Sequence, residues 1–254
     1  MAPSLFYFSS TGNSLYVAKR LSERFGGAVR YIPHVEETGL SGDPVFVISP
    51  VYAFGLPEPT KNFLSKISPE SPLYLILTYG GAPLGADRRA LQYGRELGLQ
   101  LRRVFKVRAP ENFTIVFKVP NGMMNGAVKG FPKRTDKLLN KIAKALEQDK
   151  TKGPLQSADR KEPKEDKKER KGADFALMSR KFSASDACVR CGQCVRNCPA
   201  GNITLEEDGI RFHDKCVGCL SCFHRCPKQA ILYKGRSDIR HYICPLVDES
   251  EIGK

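Results

Sequence analysis

No run of apolar residues in this chain approaches the roughly 18 needed to cross a bilayer. The N-terminus, MAPSLFYF, has no basic start followed by an apolar signal core. Neither a membrane span nor export is therefore expected, and the cytoplasm is the expected compartment. Residues 1–187 contain no cysteine at all. There is no Gly-Lys-Ser/Thr phosphate loop and no G-x-G-x-x-G fingerprint, so neither a P-loop nucleotide nor NAD(P)H is expected to bind directly. No nucleic-acid-binding motif is visible either. Disorder of the whole chain is excluded, because 41% of the 254 residues are hydrophobic, enough to bury a core.

What is present is unevenly placed. All nine cysteines lie between Cys188 and Cys244. In an unexported chain they argue for metal, cluster or redox chemistry rather than disulfides, since cytosolic thiols stay reduced. The formal charge of +14 divides into +8 over residues 1–149, +5 over 150–182 and +1 over 183–254. The stretch Lys150–Lys171, KTKGPLQSADRKEPKEDKKERK, holds almost no apolar residues and cannot bury a core face. These shifts predict three segments: a first domain over 1–149, a charged linker or insertion over 150–182, and a cysteine domain with a C-terminal tail over 183–254.

The first segment alternates strand and helix signals. Strands are expected at Ser4–Phe8, Val29–Ile32, Val45–Ser49, Leu73–Thr78 and Arg103–Val107, and helices at Asn13–Phe25, Pro59–Ile67, Ala86–Leu97 and Lys133–Glu147. Val45–Ser49 (VFVIS) is continuously apolar, as a central parallel strand should be. Asn121–Gly126 (NGMMNG) reads as a flexible loop. Alternating βα units imply a doubly wound parallel sheet with helices on both faces.

The first βα turn reads Phe8-Ser9-Ser10-Thr11-Gly12-Asn13-Ser14. In such sheets ligands sit beyond the carboxyl ends of the strands, where a helix N-terminus offers free N–H groups and the positive end of its dipole. Ser9, Ser10, Thr11, Asn13 and Ser14 add neutral donors, and Gly12 permits close approach to an anion. The competing explanation is that Ser, Thr and Asn merely cap a helix. Two further loops follow predicted central strands: Pro50-Val51-Tyr52-Ala53-Phe54-Gly55, and Thr78-Tyr79-Gly80-Gly81 with Ala82. Each sets an aromatic beside glycine, as the edges of a planar tricyclic ring would require. Either tyrosine taken singly also fits a rim aromatic that only packs.

On these residues the first domain resembles flavodoxin. The resemblance implies a five-stranded parallel sheet of order 2-1-3-4-5, FMN as cofactor, Ser9–Ser14 as its phosphate loop, and Pro50–Gly55 and Thr78–Gly81 as its two flavin loops. Flavodoxins are typically acidic, whereas this domain carries +8, so its partners are expected to differ.

Within the cysteine domain, Cys188-x2-Cys191-x2-Cys194-x3-Cys198-Pro199 recurs 28 positions later as Cys216-x2-Cys219-x2-Cys222-x3-Cys226-Pro227. This duplication is the bacterial ferredoxin pattern, in which the fourth cysteine serves the other cluster. That pattern implies a small α+β domain with two cubane [4Fe–4S] clusters. Cys188, Cys191, Cys194 and Cys226 would hold one, and Cys216, Cys219, Cys222 and Cys198 the other. Two structural zinc sites are the alternative, although zinc ribbons pair two C-x2-C knuckles instead. Cys244 is the odd cysteine and reads as a buried small residue or a free thiol.

The order of the domains resembles the fused flavodoxin–ferredoxin proteins of anaerobes, which implies intracellular electron transfer without fixing a substrate. Three functions follow. One is a redox carrier or adaptor between the clusters and FMN, with a redox protein such as an acidic ferredoxin or an oxidoreductase as partner. A second is a flavin-dependent reductase of a small molecule, fed by its own clusters. A third is a nucleic-acid-binding iron–sulfur protein, suggested by charge alone. The +8 on the first domain also predicts electrostatic docking of the cluster domain near the flavin loops.

Overall fold

A computed structural model describes residues 3–150 and 174–254. Most of the predicted charged linker lies outside the described residues.

Five strands form one parallel sheet: β1 (Ser4–Tyr7), β2 (Val29–Tyr31), β3 (Val45–Pro50), β4 (Leu73–Tyr79) and β5 (Leu101–Arg108), in the order β2-β1-β3-β4-β5. This is the flavodoxin-like order, and every pairing in it is parallel. Successive side chains of a strand point to opposite faces, so each central strand feeds two cores. Leu5 and Tyr7 of β1, Phe46 and Ile48 of β3, and Tyr74 and Ile76 of β4 face α1 (Asn13–Phe25) and α4 (Asn121–Lys150). Phe6, Val45, Val47, Leu73, Leu75 and Leu77 face the other way, onto α2 (Glu58–Leu64) and α3 (Ala86–Glu96). Burial on both faces is why β3 and β4 read as unbroken apolar runs.

Three expectations are corrected. Asn121–Gly126 is the first turn and a half of α4, not a loop. The local helix propensity of an Asn- and Gly-rich stretch is poor, but burial of Met124 in the α1/α4 core overrides it. Met123 points to solvent, and neither methionine lines the cavity described below. Second, Asp174–Phe182, the end of the expected charged linker or insertion, has regular structure. It forms α5 (Phe175–Ser179), capped by the Asp174 carboxylate on the Leu177 N–H, and opens β6 (Phe182–Ala184). Met178 and Phe182 are buried in the cysteine domain. Third, the C-terminal tail does not belong to the cysteine domain alone. Tyr242, Cys244 and Ile252 are buried with α1 and the sheet of the first domain.

The cysteine domain consists of two short helices, α6 (Gln193–Arg196) and α7 (Ser221–His224), the hairpin of β7 (Ile203–Glu206) with β8 (Gly209–Phe212), and β9 (Ile231–Tyr233) paired antiparallel to β6. The sequence duplication recurs in the backbone. Left-handed residues occur at Arg190, Gly192 and Gly201, and 28 positions on at Gly218, Leu220 and Gln229. Each repeat therefore turns at the same three places. Half of these positions hold a residue with a Cβ, which costs roughly 1–2 kcal/mol apiece in this region.

Phe131 of α4 is fully buried, with its ring centroid 5.1 Å from that of Tyr16 on α1. Phe131→Ala is expected to lower the stability of the first domain by about 3–5 kcal/mol, read from chemical denaturation.

Candidate functional site: a cavity walled by both domains

Beyond the carboxyl ends of β1, β3, β4 and β5 lies a cavity of about 570 Å³. Its walls include Ser9, Ser10, Thr11, Asn13 and Ser14 from the first loop, Pro50–Phe54 from the second, and Thr78–Gly81 from the third. The structure thus brings together fourteen of the sixteen residues expected at a flavin. The exceptions are both glycines. Gly55 faces a neighbouring groove. Gly12 (φ 93°) turns its α-carbon away from the cavity, where a Cβ would meet Val247 at 2.7 Å and Cys244 at 3.1 Å. A side chain at this position would collide with the C-terminal tail, so the tail's packing requires a residue without a Cβ.

The loop hydroxyls are organised as well as buried. Ser9 Oγ accepts the Gly12 N–H at 3.0 Å, and the Ser14 and Thr78 hydroxyls are 2.9 Å apart. Asn13 donates from Nδ2 to the Pro110 carbonyl at 3.0 Å. The first amides of α1 have no intrahelical acceptor by construction and open towards this end of the sheet. In the second loop, Tyr52 and Gly55 exchange both backbone hydrogen bonds at 3.0 and 2.9 Å. The intervening Ala53 (φ 44°) and Phe54 (φ 68°) are both left-handed. That is a type I′ hairpin turn built without Asn or Gly, a strained choice at a cavity wall. In the third loop, Gly80 lies flush against Glu111, whose carboxylate a Cβ there would strike.

A fourth wall, Ala109–Phe113 with Phe117, was not marked by the sequence. It follows the edge strand β5 and carries no glycine-rich or hydroxyl-rich signature. It adds Glu111 and Asn112 as polar groups and Phe113 and Phe117 as aromatic ones.

The fifth wall comes from the cysteine domain: Phe175 and the knuckle Gly218-Cys219-Leu220. Gly218 (φ 71°) must be glycine, because the Phe175 ring occupies the place of its Cβ. Ser10 donates its hydroxyl to the Cys219 carbonyl at 2.6 Å and lies 3.2 Å from the Tyr52 hydroxyl. Cys219 itself packs into the α2/α3 core. Burial raises the phenols of Tyr31 and Tyr52, and the Cys219 thiol beside both reinforces the shift. On the far side, His224 of α7 donates from Nε2 to the Asn112 carbonyl at 2.7 Å and accepts the Tyr242 N–H on Nδ1 at 3.2 Å. Burial holds this imidazole neutral, lowering it to about 4. These contacts are buried hydrogen bonds and apolar packing. The cross-domain ion pair Lys19–Glu251 is 2.8 Å long but about 40% exposed on each side, where such pairs contribute little.

The cysteines form two groups. Cys188, Cys191, Cys194 and Cys226 border one small cavity of about 20 Å³. In the other, burial followed by the nearby Cys198 and Cys216 thiols pushes Cys219 up to about 12. Desolvation and the neighbours Cys219, Cys216 and Cys198 likewise raise Cys222. Thiols that disfavour one another's ionisation suit a multivalent cation, which is what turns such a set into ligands. Backbone amides are aimed at sulfur in both repeats: Asn202 N–H to Cys198 Sγ and Ala230 N–H to Cys226 Sγ, each at 3.2 Å and 28 positions apart. Among the described residues no three His, Cys, Asp or Glu side chains converge on one point as around a single metal ion. No described helix is long and apolar enough to cross a membrane. Cys244 is fully buried and belongs to neither group.

Residues 187–230 match the family model of the 4Fe-4S dicluster domain. No curated protein matches the chain. Solved structures that resemble it include rubredoxin oxygen:oxidoreductase from the anaerobe Desulfovibrio gigas, at 15% identity and a TM-score of 0.40, covering 59% of this chain and 37% of that one. A putative flavoprotein from Bacteroides eggerthii DSM 20697 is 15% identical with a TM-score of 0.34, covering 51% of this chain and 97% of its own. Trp repressor binding protein from Bacillus subtilis is 12% identical with a TM-score of 0.33, covering 52% and 99%. The chain spans little more than a third of the first of these. The strand order and the dicluster match together describe a flavodoxin-like domain followed by a small ferredoxin-type 4Fe–4S domain.

The Ser10 hydroxyl is buried where it meets Cys219. Ser10→Ala leaves that carbonyl without its donor and is expected to destabilise the folded chain by about 1–3 kcal/mol, measured by denaturant titration.

Proposed function

We propose that the chain is an electron-transfer protein in which two [4Fe–4S] clusters exchange electrons with an FMN, serving as a carrier or adaptor for a redox protein partner. The observation that carries this is the shared cavity: the Gly218–Leu220 knuckle lies in the same walls as the Ser9–Ser14, Pro50–Phe54 and Thr78–Gly81 loops. The residues fit a flavin. Neutral hydroxyls and helix-start amides suit its phosphate, and the Tyr52 and Tyr79 loops leave an aromatic-lined slot for a planar ring. When bound, FMN supplies two-electron exchange that can proceed one electron at a time, matching the single electrons that iron–sulfur clusters carry.

The protein's own groups divide the work. Cys216, Cys219, Cys222 and Cys198 would hold the cluster next to the flavin cavity. Cys188, Cys191, Cys194 and Cys226 would hold the outer one, with Cys191 exposed to solvent. The basic first domain favours an acidic redox protein such as a ferredoxin at the surface. Glu111 favours a second reading, a reductase of small molecules. It places a carboxyl in the cavity wall beside Phe113 and Phe117, where a proton donor would be needed.

Anaerobic purification followed by metal and flavin analysis is expected to give about eight irons and one FMN per chain. Stoichiometric zinc without flavin would overturn the proposal. Cys226→Ser is expected to lower the iron to about four per chain, because it removes a thiol from the Cys188 group and leaves the Cys216 group complete. If ligation were not crossed between the repeats, Cys226→Ser would instead destroy the Cys216 group, and the surviving cluster would have the spectrum of the outer site.

A further inference from the structure

The segment after β9 leaves the cysteine domain and crosses the outer face of the Ser9–Ser14 loop. There it makes three kinds of contact. The Cys244 N–H donates to the Thr11 carbonyl at 2.7 Å. The Tyr242 hydroxyl, buried, donates to Asn13 Oδ1 at 2.8 Å. Val247, Cys244 and Ile252 fill the space beside the Cβ-less Gly12, the nearest atom lying 2.7 Å from where a Cβ would stand. The end of the strap is fastened separately. Tyr7 on β1 accepts the Gly253 N–H at 3.1 Å, and Lys19 pairs with Glu251 at 2.8 Å.

These contacts bear on loop geometry rather than on fold alone. Asn13 is held from both ends, by Tyr242 at its oxygen and by Pro110 at its nitrogen. Its side chain therefore has one orientation. The Thr11 carbonyl and the Gly12 α-carbon are both occupied from the strap side, so the peptide plane between them is fixed. Its own N–H is held by Ser9 Oγ at 3.0 Å, and it sets the entry into α1, whose first amides have no intrahelical acceptor. A helix-start anion site works through amides aimed at the anion, and aim is what the strap supplies.

We infer that residues 242–252 are a positioning strap for the phosphate loop, and that Tyr242 in particular sets the affinity of the pocket for the phosphate of its flavin. The inference rests on the reading that this cavity holds FMN. Tyr242 does not line the cavity, so it is a positioning residue acting through Asn13. The strap is continuous with the cysteine domain, and Tyr242 N–H is also bound to His224. Flavin affinity and cluster assembly are then linked, and the linkage is reciprocal.

The test uses the full-length, cluster-loaded protein, stripped of flavin and titrated anaerobically with FMN and with riboflavin, which lacks the phosphate. Wild type is expected to bind FMN more tightly than riboflavin. Tyr242→Phe keeps the ring and removes only the hydroxyl. It is expected to weaken FMN about tenfold, leave riboflavin unchanged and leave the iron content unchanged. The ratio of the two affinities in one preparation is insensitive to any loss of folded protein. Ile252→Ala, which loosens the packing behind Gly12 without touching the polar contacts, is expected to lower the same ratio. An unchanged ratio in both variants, or equal losses for both flavins, would overturn the strap. Wild type binding neither flavin would overturn the FMN assignment and the strap with it. Wild type binding both equally would leave FMN in the pocket and remove the strap's object.

Discussion

The contact on which the two halves depend is the 2.6 Å hydrogen bond from Ser10 to the carbonyl of Cys219. A buried carbonyl has to be paired, and a buried hydroxyl likewise. Each satisfies the other, and in doing so a cysteine of one domain becomes part of the wall of a cavity in the other. The aromatic group of Phe8, Tyr31 and Tyr52 fills in around it, with Phe8 and Tyr31 stacked at 6.2 Å and Tyr52 edge-on to Phe8 at 6.2 Å. The interface is accordingly buried and directional. Among the described residues, the cross-domain ion pair Lys19–Glu251 adds little to it.

The cysteine domain could not keep this position through its own apolar content. Its core is a small cluster around Met178, Phe182, Phe223, Ile231 and Tyr233, and it borrows Ile115 from the first domain. Such a module needs something other than hydrophobic burial to hold it together. Three fastenings surround it: α5 at its start, the His224–Asn112 hydrogen bond in its middle, and the tail at its end.

The fold was legible where one physical rule dominates. β3 and β4 announced themselves as apolar runs, and the spacing of the eight cysteines announced the duplication. The Ser9–Ser14 loop was legible as a candidate cavity wall because it follows the first strand of a parallel sheet, where such sheets bind ligands, and five of its six residues do line the cavity. What was not legible was the long-range pairing. Nothing local in Ala109–Phe113 marks it as a cavity wall, since its role comes from lying opposite α7. Nothing local in Tyr242 marks it as a partner of Asn13, 229 positions away. Gly12 shows the limit most clearly. A close approach at Gly12 was expected, but the object packed against its α-carbon is the far end of the chain. Asn121–Gly126 failed for the opposite reason, because weak local propensity was overridden by the burial of Met124.

The duplicated repeats share one cysteine spelling and one set of left-handed turns, yet they stand in unequal surroundings. Cys219 is buried against the first domain, while Cys191 and its neighbour Val189, 58% exposed, meet solvent. Solvent access and local dielectric shift the electron affinity of a metal–thiolate group even when its ligands are the same. A symmetric sequence has been set in asymmetric surroundings. Docking one repeat against a pocket and leaving the other at the surface gives the molecule a buried and an exposed cysteine group, a distinction that neither repeat has alone.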